Sequence, residues 1–152
     1  MIYVASPFFD DKERAVKSRI KEVLEKCEYE VYDPQKSSNP YDYEDSNTEW
    51  GEGVYTSDIE AIEQSSYVIA IDWGLYGDCG TAFEVGYAKA KNKNVIVIVP
   101  NEALSKEHSL MIANGCNNFV SEQRFIDALM DGYDLNDIRT DLDYFLDGVI
   151  QK

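Results

Sequence analysis

Basic residues are scarce in this sequence. Of 152 residues only 14 are Lys or Arg, against 29 Asp or Glu, a formal net charge of −15. A surface so acidic repels polyanions, and no local basic patch relieves it, so neither nucleic acid nor an anionic membrane is expected as a partner. Histidine is rarer still: His108 is the only one. It cannot by itself build a histidine-rich metal site, and a lone histidine reads as a core or surface residue. Cysteine is limited to Cys27, Cys79 and Cys116, an odd number at wide spacings. That pattern fits neither a disulfide framework nor a zinc knuckle and predicts reduced thiols. The longest apolar run, Val95 to Pro100, is far too short to span a bilayer, and the first residues lack a basic segment followed by an apolar secretory core. A soluble, cytoplasmic protein is expected.

What is present is enough for a packed core: 44% of the residues are hydrophobic and 12% aromatic. The length suits one domain over residues 1–152. Ile2 to Ala5 reads as a buried strand ended by Ser6-Pro7, and Asp10-Asp11 as the cap of a helix over about residues 11–27, where Val16, Ile20, Val23 and Leu24 recur at helical spacing. Tyr29 to Tyr32 is a second strand. Residues 33–53, rich in Pro, Ser, Asn, Tyr and acids, have no period and read as a long functional loop. Helical spacing returns over Thr56 to Gln64, then come a strand at Tyr67 to Ile71, a glycine turn at Gly74 to Gly80, a helix from about Thr81 to Lys91 and a strand at Val95 to Val99. A weaker helix over Leu104 to Ala113, a strand at Asn118 to Val120 and a helix at Glu122 to Met130 follow. Leu135, Ile138, Leu142, Leu146 and Val149 step by three or four, predicting an amphipathic closing helix.

Strands that alternate with helices and are too uniformly apolar to have a wet face imply a parallel sheet covered on both sides. The expected fold is α/β, a doubly wound, flavodoxin-like three-layer sandwich on a five-stranded parallel sheet. Ligands of such sheets lie beyond the carboxyl ends of the strands, at the switch in strand order. Ser6 to Asp10, Asp72 to Gly80 and Pro100 to Ser109 should therefore border one crevice.

Gly74, Gly77 and Gly80 precede a helix, but they are not spaced as G-x-G-x-x-G, and Asp78 inside the turn would repel a phosphate. A turn that only bends the chain is the simpler reading. Glu84 lies near the start of the following helix among Ala82, Phe83, Val85 and Gly86. The helix dipole favours its carboxylate and burial favours its acid, two opposed effects. If ionised, it is a nucleophile or base facing the crevice; otherwise it is a helix-stabilising glutamate.

Three segments carry a resemblance: IYVASPFF at Ile2 to Phe9, SDIEAIEQSSYVIAI at Ser57 to Ile71, and DCGTAFEVGYAKAKNKNVIVIVP at Asp78 to Pro100. Together they resemble the nucleoside 2-deoxyribosyltransferase family, from Ile2 to about Met111. The resemblance implies transfer of a 2-deoxyribosyl group between nucleobases, with retention, through a covalent intermediate on a glutamate, which matches Glu84. It implies that Tyr3 orients that glutamate, that Asp58 protonates or hydrogen-bonds the leaving base, and that Asp78 binds the sugar hydroxyls. Phe8 and Phe9 fall where family aromatics stack on the base. Ser109 stands where several members have an asparagine contributed by a neighbouring subunit, a departure from the pattern. The implied partners are small deoxynucleosides and free nucleobases, with no metal or organic cofactor, and the implied assembly is a homodimer or a dimer-built hexamer. Gln35, in the 33–53 loop, is a candidate base contact.

The chemistry is coherent on its own terms. Breaking a glycosidic C–N bond creates an oxocarbenium-like sugar that a carboxylate captures while an acid helps the base leave. Singly, each residue also has a structural role: Tyr3 in the core, Phe8 and Phe9 as an apolar plug, Asp58 as a helix cap, Asp78 as a turn former. Two other functions compete. A 2'-deoxynucleoside 5'-monophosphate N-glycosidase must neutralise a phosphate after the first strand, where this chain offers only Lys12 and Arg14 beside Ser6-Pro7-Phe8-Phe9. A receiver-like signalling domain would use Asp72 as phosphoacceptor but lacks the acidic pair after the first strand and the Ser or Thr and Lys of later strands.

Overall fold

The computed structural model describes residues 1–36 and 47–141. Five strands, β1 (Ile2–Ala5), β2 (Val31–Tyr32), β3 (Tyr67–Ile71), β4 (Asn94–Val99) and β5 (Asn118–Ser121), form an all-parallel sheet in the order β2-β1-β3-β4-β5. The order reverses beside β1, so β1 and β3 flank the switch point where such folds place their ligands. Successive side chains of a strand face opposite sides. Tyr3, Ala5, Val68 and Ala70 therefore pack with Ala61, Ile62, Val85 and Ala88 on one face. Ile2, Val4, Ile69 and Ile71 pack with Val16, Ile20, Phe125 and Leu129 on the other. Helices α1 (Asp11–Lys26) and α5 (Glu122–Met130) cover the second face; α2 (Asn47–Gln64), α3 (Cys79–Ala90) and α4 (Leu110–Gly115) lie on the first. The expected three-layer sandwich is present.

Local chemistry fixes the helix starts nearest the switch point. Asp10 Oδ1 accepts the Glu13 N–H at 2.8 Å while Glu13 Oε2 accepts the N–H groups of Phe9 and Asp10, a capping box that anchors the loop after β1. Asp78 caps α3, its Oδ2 accepting from the backbone N–H and hydroxyl of Thr81 at 2.8 and 2.9 Å. The helix thus begins at Cys79, two residues before the expected start.

Four expectations need correction. The loop expected over 33–53 ends sooner, because α2 starts at Asn47; Thr48, Glu49 and Trp50 in its first turn are exposed, so no apolar stripe announces it. The second strand is only Val31–Tyr32, because the Tyr29 N–H still bonds to Leu24 of α1 and the chain first meets the sheet where Glu30 accepts from Ile2. Instead of a helix over 104–113, a 3-10 turn at Asn101–Ala103 and an irregular stretch precede the short α4, because His108 is drawn inward by polar partners. The closing helix does not begin at Leu135: Leu135–Asp137 is a 3-10 turn, Ile138 is extended and buried, and the Thr140 hydroxyl bonds both backbone groups of Phe119 at the edge of β5. Leu142, Leu146 and Val149 lie outside the described residues.

Candidate active site

Tyr3 is fully buried in β1 and stacks on Tyr32, ring centres 5.6 Å apart. Its hydroxyl donates to Glu84 Oε1 at 2.6 Å, a bond that links β1 to α3 across 81 residues of sequence. Glu84 is the sixth residue of α3, in its second turn and past the helix dipole's strongest field. Burial therefore wins the contest. It pushes the Glu84 carboxyl up to about 7, with the Asp58 and Asp78 charges adding to the rise and the Tyr3 hydrogen bond and Lys17 opposing it. Burial first, and then the Glu84 charge and hydrogen bond, keep the Tyr3 phenol protonated far above its ordinary range, so Tyr3 is a permanent donor.

Asp58 is not a helix cap. It lies in the middle of α2, with Oδ1 buried and, among the described residues, without a hydrogen-bond partner, and burial pushes its carboxyl up to about 6 against the pull of Lys17. A buried, unpartnered carboxyl oxygen is costly unless something accepts or supplies a proton there. Lys17 is the counter-charge. Its ammonium is 2.6 Å from Asp33 Oδ1 and 4.9 Å from the Phe8 ring centre, and its side chain is nearly inaccessible. Burial works against the Asp33 charge, yet the Lys17 hydrogen bond and charge hold that carboxyl below its usual range. Lys17 carries no motif that marks it as functional. The available signal was its place on one helix face with Ile20 and Leu24, a buried stripe where a lysine is out of character.

The three segments expected to meet do so. Phe9 and Asp10, residues 73–78, and Glu102, Lys106 and Glu107 border one hollow of about 850 Å³. Asp78 also lines a second cavity of about 370 Å³, with Asp72, Thr81, Val85, Ser109 and Met111. Asp78 and Ser109 are thus brought together, and Tyr3, Glu84 and the charge of Asp58 form a second group beside them. Phe8 and Phe9 stack at 5.3 Å, with Phe8 half-buried over Lys17 and Phe9 72% exposed. Gln35 is placed apart: it is exposed after β2, its N–H bonded to Asp33, and it lines a hollow with Arg14, Lys17 and Lys21. Asp72 is bound to His108 at 2.8 Å and to the Gly74 N–H, not presented as a phosphoacceptor. Among the described residues no group of three or more His, Cys, Asp and Glu side chains is placed to hold a metal ion, and no helix is long and apolar enough to cross a membrane.

Fold and site together describe an α/β protein with buried carboxyls beside the switch point of a parallel sheet. The chain belongs to the nucleoside 2-deoxyribosyltransferase family, whose model matches residues 2–130. A nucleoside deoxyribosyltransferase of Lactobacillus johnsonii is 26% identical over 72 residues, a match that takes in 47% of this chain and 48% of that protein, about half the length of each. The solved structure of a 2-deoxyribosyltransferase from the psychrotolerant bacterium Bacillus psychrosaccharolyticus superposes with a TM-score of 0.75 at 26% identity, covering 91% of this chain and 96% of that one. A CMP N-glycosidase from Clostridium botulinum shares the fold at a TM-score of 0.56 and 19% identity, over 85% of this chain and 97% of its own.

Proposed function

We propose that this protein transfers a 2-deoxyribosyl group from one nucleobase to another through a covalent intermediate on Glu84, with retention of configuration. The observation that carries the reading is the 2.6 Å bond from Tyr3 to Glu84 Oε1, beside Asp58, with burial raising both carboxyls. Tyr3 occupies one oxygen, leaving Oε2 to attack the anomeric carbon. In the first half-reaction the Oε2–C1' bond forms as the C1'–N bond breaks, and the base nitrogen keeps the electron pair and takes the proton of Asp58. In the second, a nitrogen of the acceptor base attacks C1', Glu84 leaves as carboxylate, and the acceptor's N–H proton returns to Asp58. Two inversions give retention. Asp78 and Ser109 hold the sugar, and Phe8 and Phe9 offer flat surfaces to the base. Leu110 and Met111, exposed on α4 beside the smaller cavity, support assembly with a second copy, as the homodimer or dimer-built hexamer would require. The chemistry suits the reuse of bases inside the cell, and its partners are deoxynucleosides and free nucleobases.

A nucleoside is favoured over a 5'-monophosphate because Ser6 and Arg14 after β1 are engaged within the chain, which leaves Lys12 alone of the groups named there. The Ser6 hydroxyl bonds to the Pro7 carbonyl, and the Arg14 guanidinium is engaged by the Phe8 carbonyl and Asp11. The test is base exchange from thymidine to adenine, followed by chromatography, beside the same assay with thymidine monophosphate. Wild-type protein is expected to form deoxyadenosine and Glu84→Ala to form none. Exchange at the wild-type rate by Glu84→Ala would refute the nucleophile, and turnover of the monophosphate alone would turn the reading to the N-glycosidase.

A further inference from the structure

The irregular stretch before α4 is gathered around His108, whose imidazole is fully buried. Nε2 lies 3.0 Å from the Ala103 carbonyl oxygen, which only accepts, so Nε2 donates. Nδ1 lies 2.8 Å from Asp72 Oδ2. The other Asp72 oxygen accepts the Gly74 N–H at 3.1 Å, so the carboxyl is fixed between the two loops. The ring is thus held at both nitrogens, by the Ala103 carbonyl on one side and by Asp72 on the other.

This bond joins the loop after β3 to the loop after β4, and two further contacts follow the same seam. The Leu75 N–H donates to the Glu107 carbonyl at 2.7 Å, and the Lys106 ammonium lies 5.8 Å from the Trp73 ring centre. Gly74 makes the approach feasible. Its φ is +116°, and a Cβ there would come 3.1 Å from the Glu107 carbonyl oxygen. Downstream on one loop is Asp78; next to His108 on the other is Ser109; both line the cavity of about 370 Å³. Glu84 is held independently, by Tyr3 from β1.

We propose that His108 is a positioning residue: through its bond to Asp72 it keeps Asp78 and Ser109 in register across the smaller cavity and so sets how tightly the donor's sugar is held. This rests on the deoxyribosyl-transfer reading. Contacts to the sugar persist from bound substrate to transition state, so their loss raises KM and leaves kcat nearly unchanged.

Two variants separate the ring's bonds. His108→Asn keeps a donor at the place of Nδ1, toward Asp72; His108→Gln keeps one at the place of Nε2, toward Ala103. With thymidine as donor and adenine as acceptor, His108→Gln is expected to raise the donor KM about tenfold, with kcat within about threefold of wild type, and His108→Asn to stay within about twofold in both. A role in packing alone would treat the two alike or favour the larger Gln; either pattern overturns the proposal. Should a variant fail to fold by circular dichroism, the wild type decides. Its single imidazole gives one pair of ¹⁵N signals, expected to show both nitrogens hydrogen-bonded, and an Nδ1 without a hydrogen bond overturns the proposal. Absence of exchange in the wild type would sink the deoxyribosyl-transfer reading and this role with it, whereas intact exchange with an unchanged KM in His108→Gln would sink the role of His108 alone.

Discussion

Replacing Glu84 by Gln should make the ligand-free protein more stable at alkaline pH and change it little at acidic pH. Glu84 is pushed up to about 7 in the folded protein, by burial above all and then by the neighbouring Asp58 and Asp78 charges, whereas in an unfolded chain a glutamate titrates near its ordinary value of about 4.3. The folded state therefore binds this proton more tightly than the unfolded state. The stability linked to it is complete below about pH 4, drains away as pH rises toward about 7, and is absent above that. A rise of between two and three pH units corresponds to about 3 kcal/mol at pH 8, and to under about 1 kcal/mol at pH 5. Gln is uncharged, has nearly the same shape and can still accept the Tyr3 hydroxyl through its amide oxygen, so it escapes the burial cost without leaving a cavity. Asp58 is common to both proteins and drops out of the comparison to first order. Urea unfolding of the two proteins without nucleoside, at pH 5 and pH 8, measures the difference, and equal slopes against urea would establish that the same surface unfolds in each. A stability gain of Glu84→Gln that is the same at both pH values, or a loss at pH 8, would refute burial of the carboxylate as the source of its shift. Stability surrendered at the reacting group is a known pattern where activity requires an uncomfortable charge.

Tyr3→Phe removes the 2.6 Å bond that draws Glu84 downward, so the acidic limb of kcat/KM should move to higher pH, and the rate at pH 6 should fall by at least about tenfold, the worth of a hydrogen bond to a charged group. An unmoved limb in the pH–rate profile would refute that role. Asp58→Asn removes the proton donor and should slow cleavage of ordinary deoxynucleosides by about 10²- to 10⁴-fold, with a much smaller loss for a p-nitrophenyl 2-deoxyriboside, whose leaving group departs unprotonated. Equal losses on both donors, measured as initial rates, would show that Asp58 acts otherwise.

The legible parts of this fold were those where a period or a cap speaks locally. The stripe Val16, Ile20, Val23, Leu24 and the capping residue Asp10 announced α1, and the continuous apolar runs announced β3 and β4. The parts that stayed hidden owe their conformation to partners far along the chain. Nothing near Leu104 announces that His108 will leave a helical path to bond Asp72, 36 residues earlier, and nothing near Leu135 announces that Thr140 will bond the edge of β5. The contact of Tyr3 with Glu84 was expected only through a family likeness, since no local pattern connects a strand residue with a helix residue 81 positions away. The contest between helix dipole and burial at Glu84 likewise needed coordinates, because its outcome turns on where in the helix the residue falls and what covers it.

The two carboxyls also explain why such a site would be idle without substrate. The proposed first step needs Glu84 ionised and Asp58 protonated, yet in the ligand-free protein burial raises both carboxyls alike and favours the protonated form of each. Substrate supplies the distinction between them. A base nitrogen accepting from Asp58 Oδ1, the buried oxygen that lacks a partner, stabilises the protonated form and raises Asp58 further. Positive charge growing at the anomeric carbon beside Glu84 Oε2 stabilises the carboxylate and brings Glu84 down, while Tyr3 keeps Oε1 turned aside. Each carboxyl is thus corrected by the part of the nucleoside it must act on, and the proton and the nucleophile are in their working places only while base and sugar are both present.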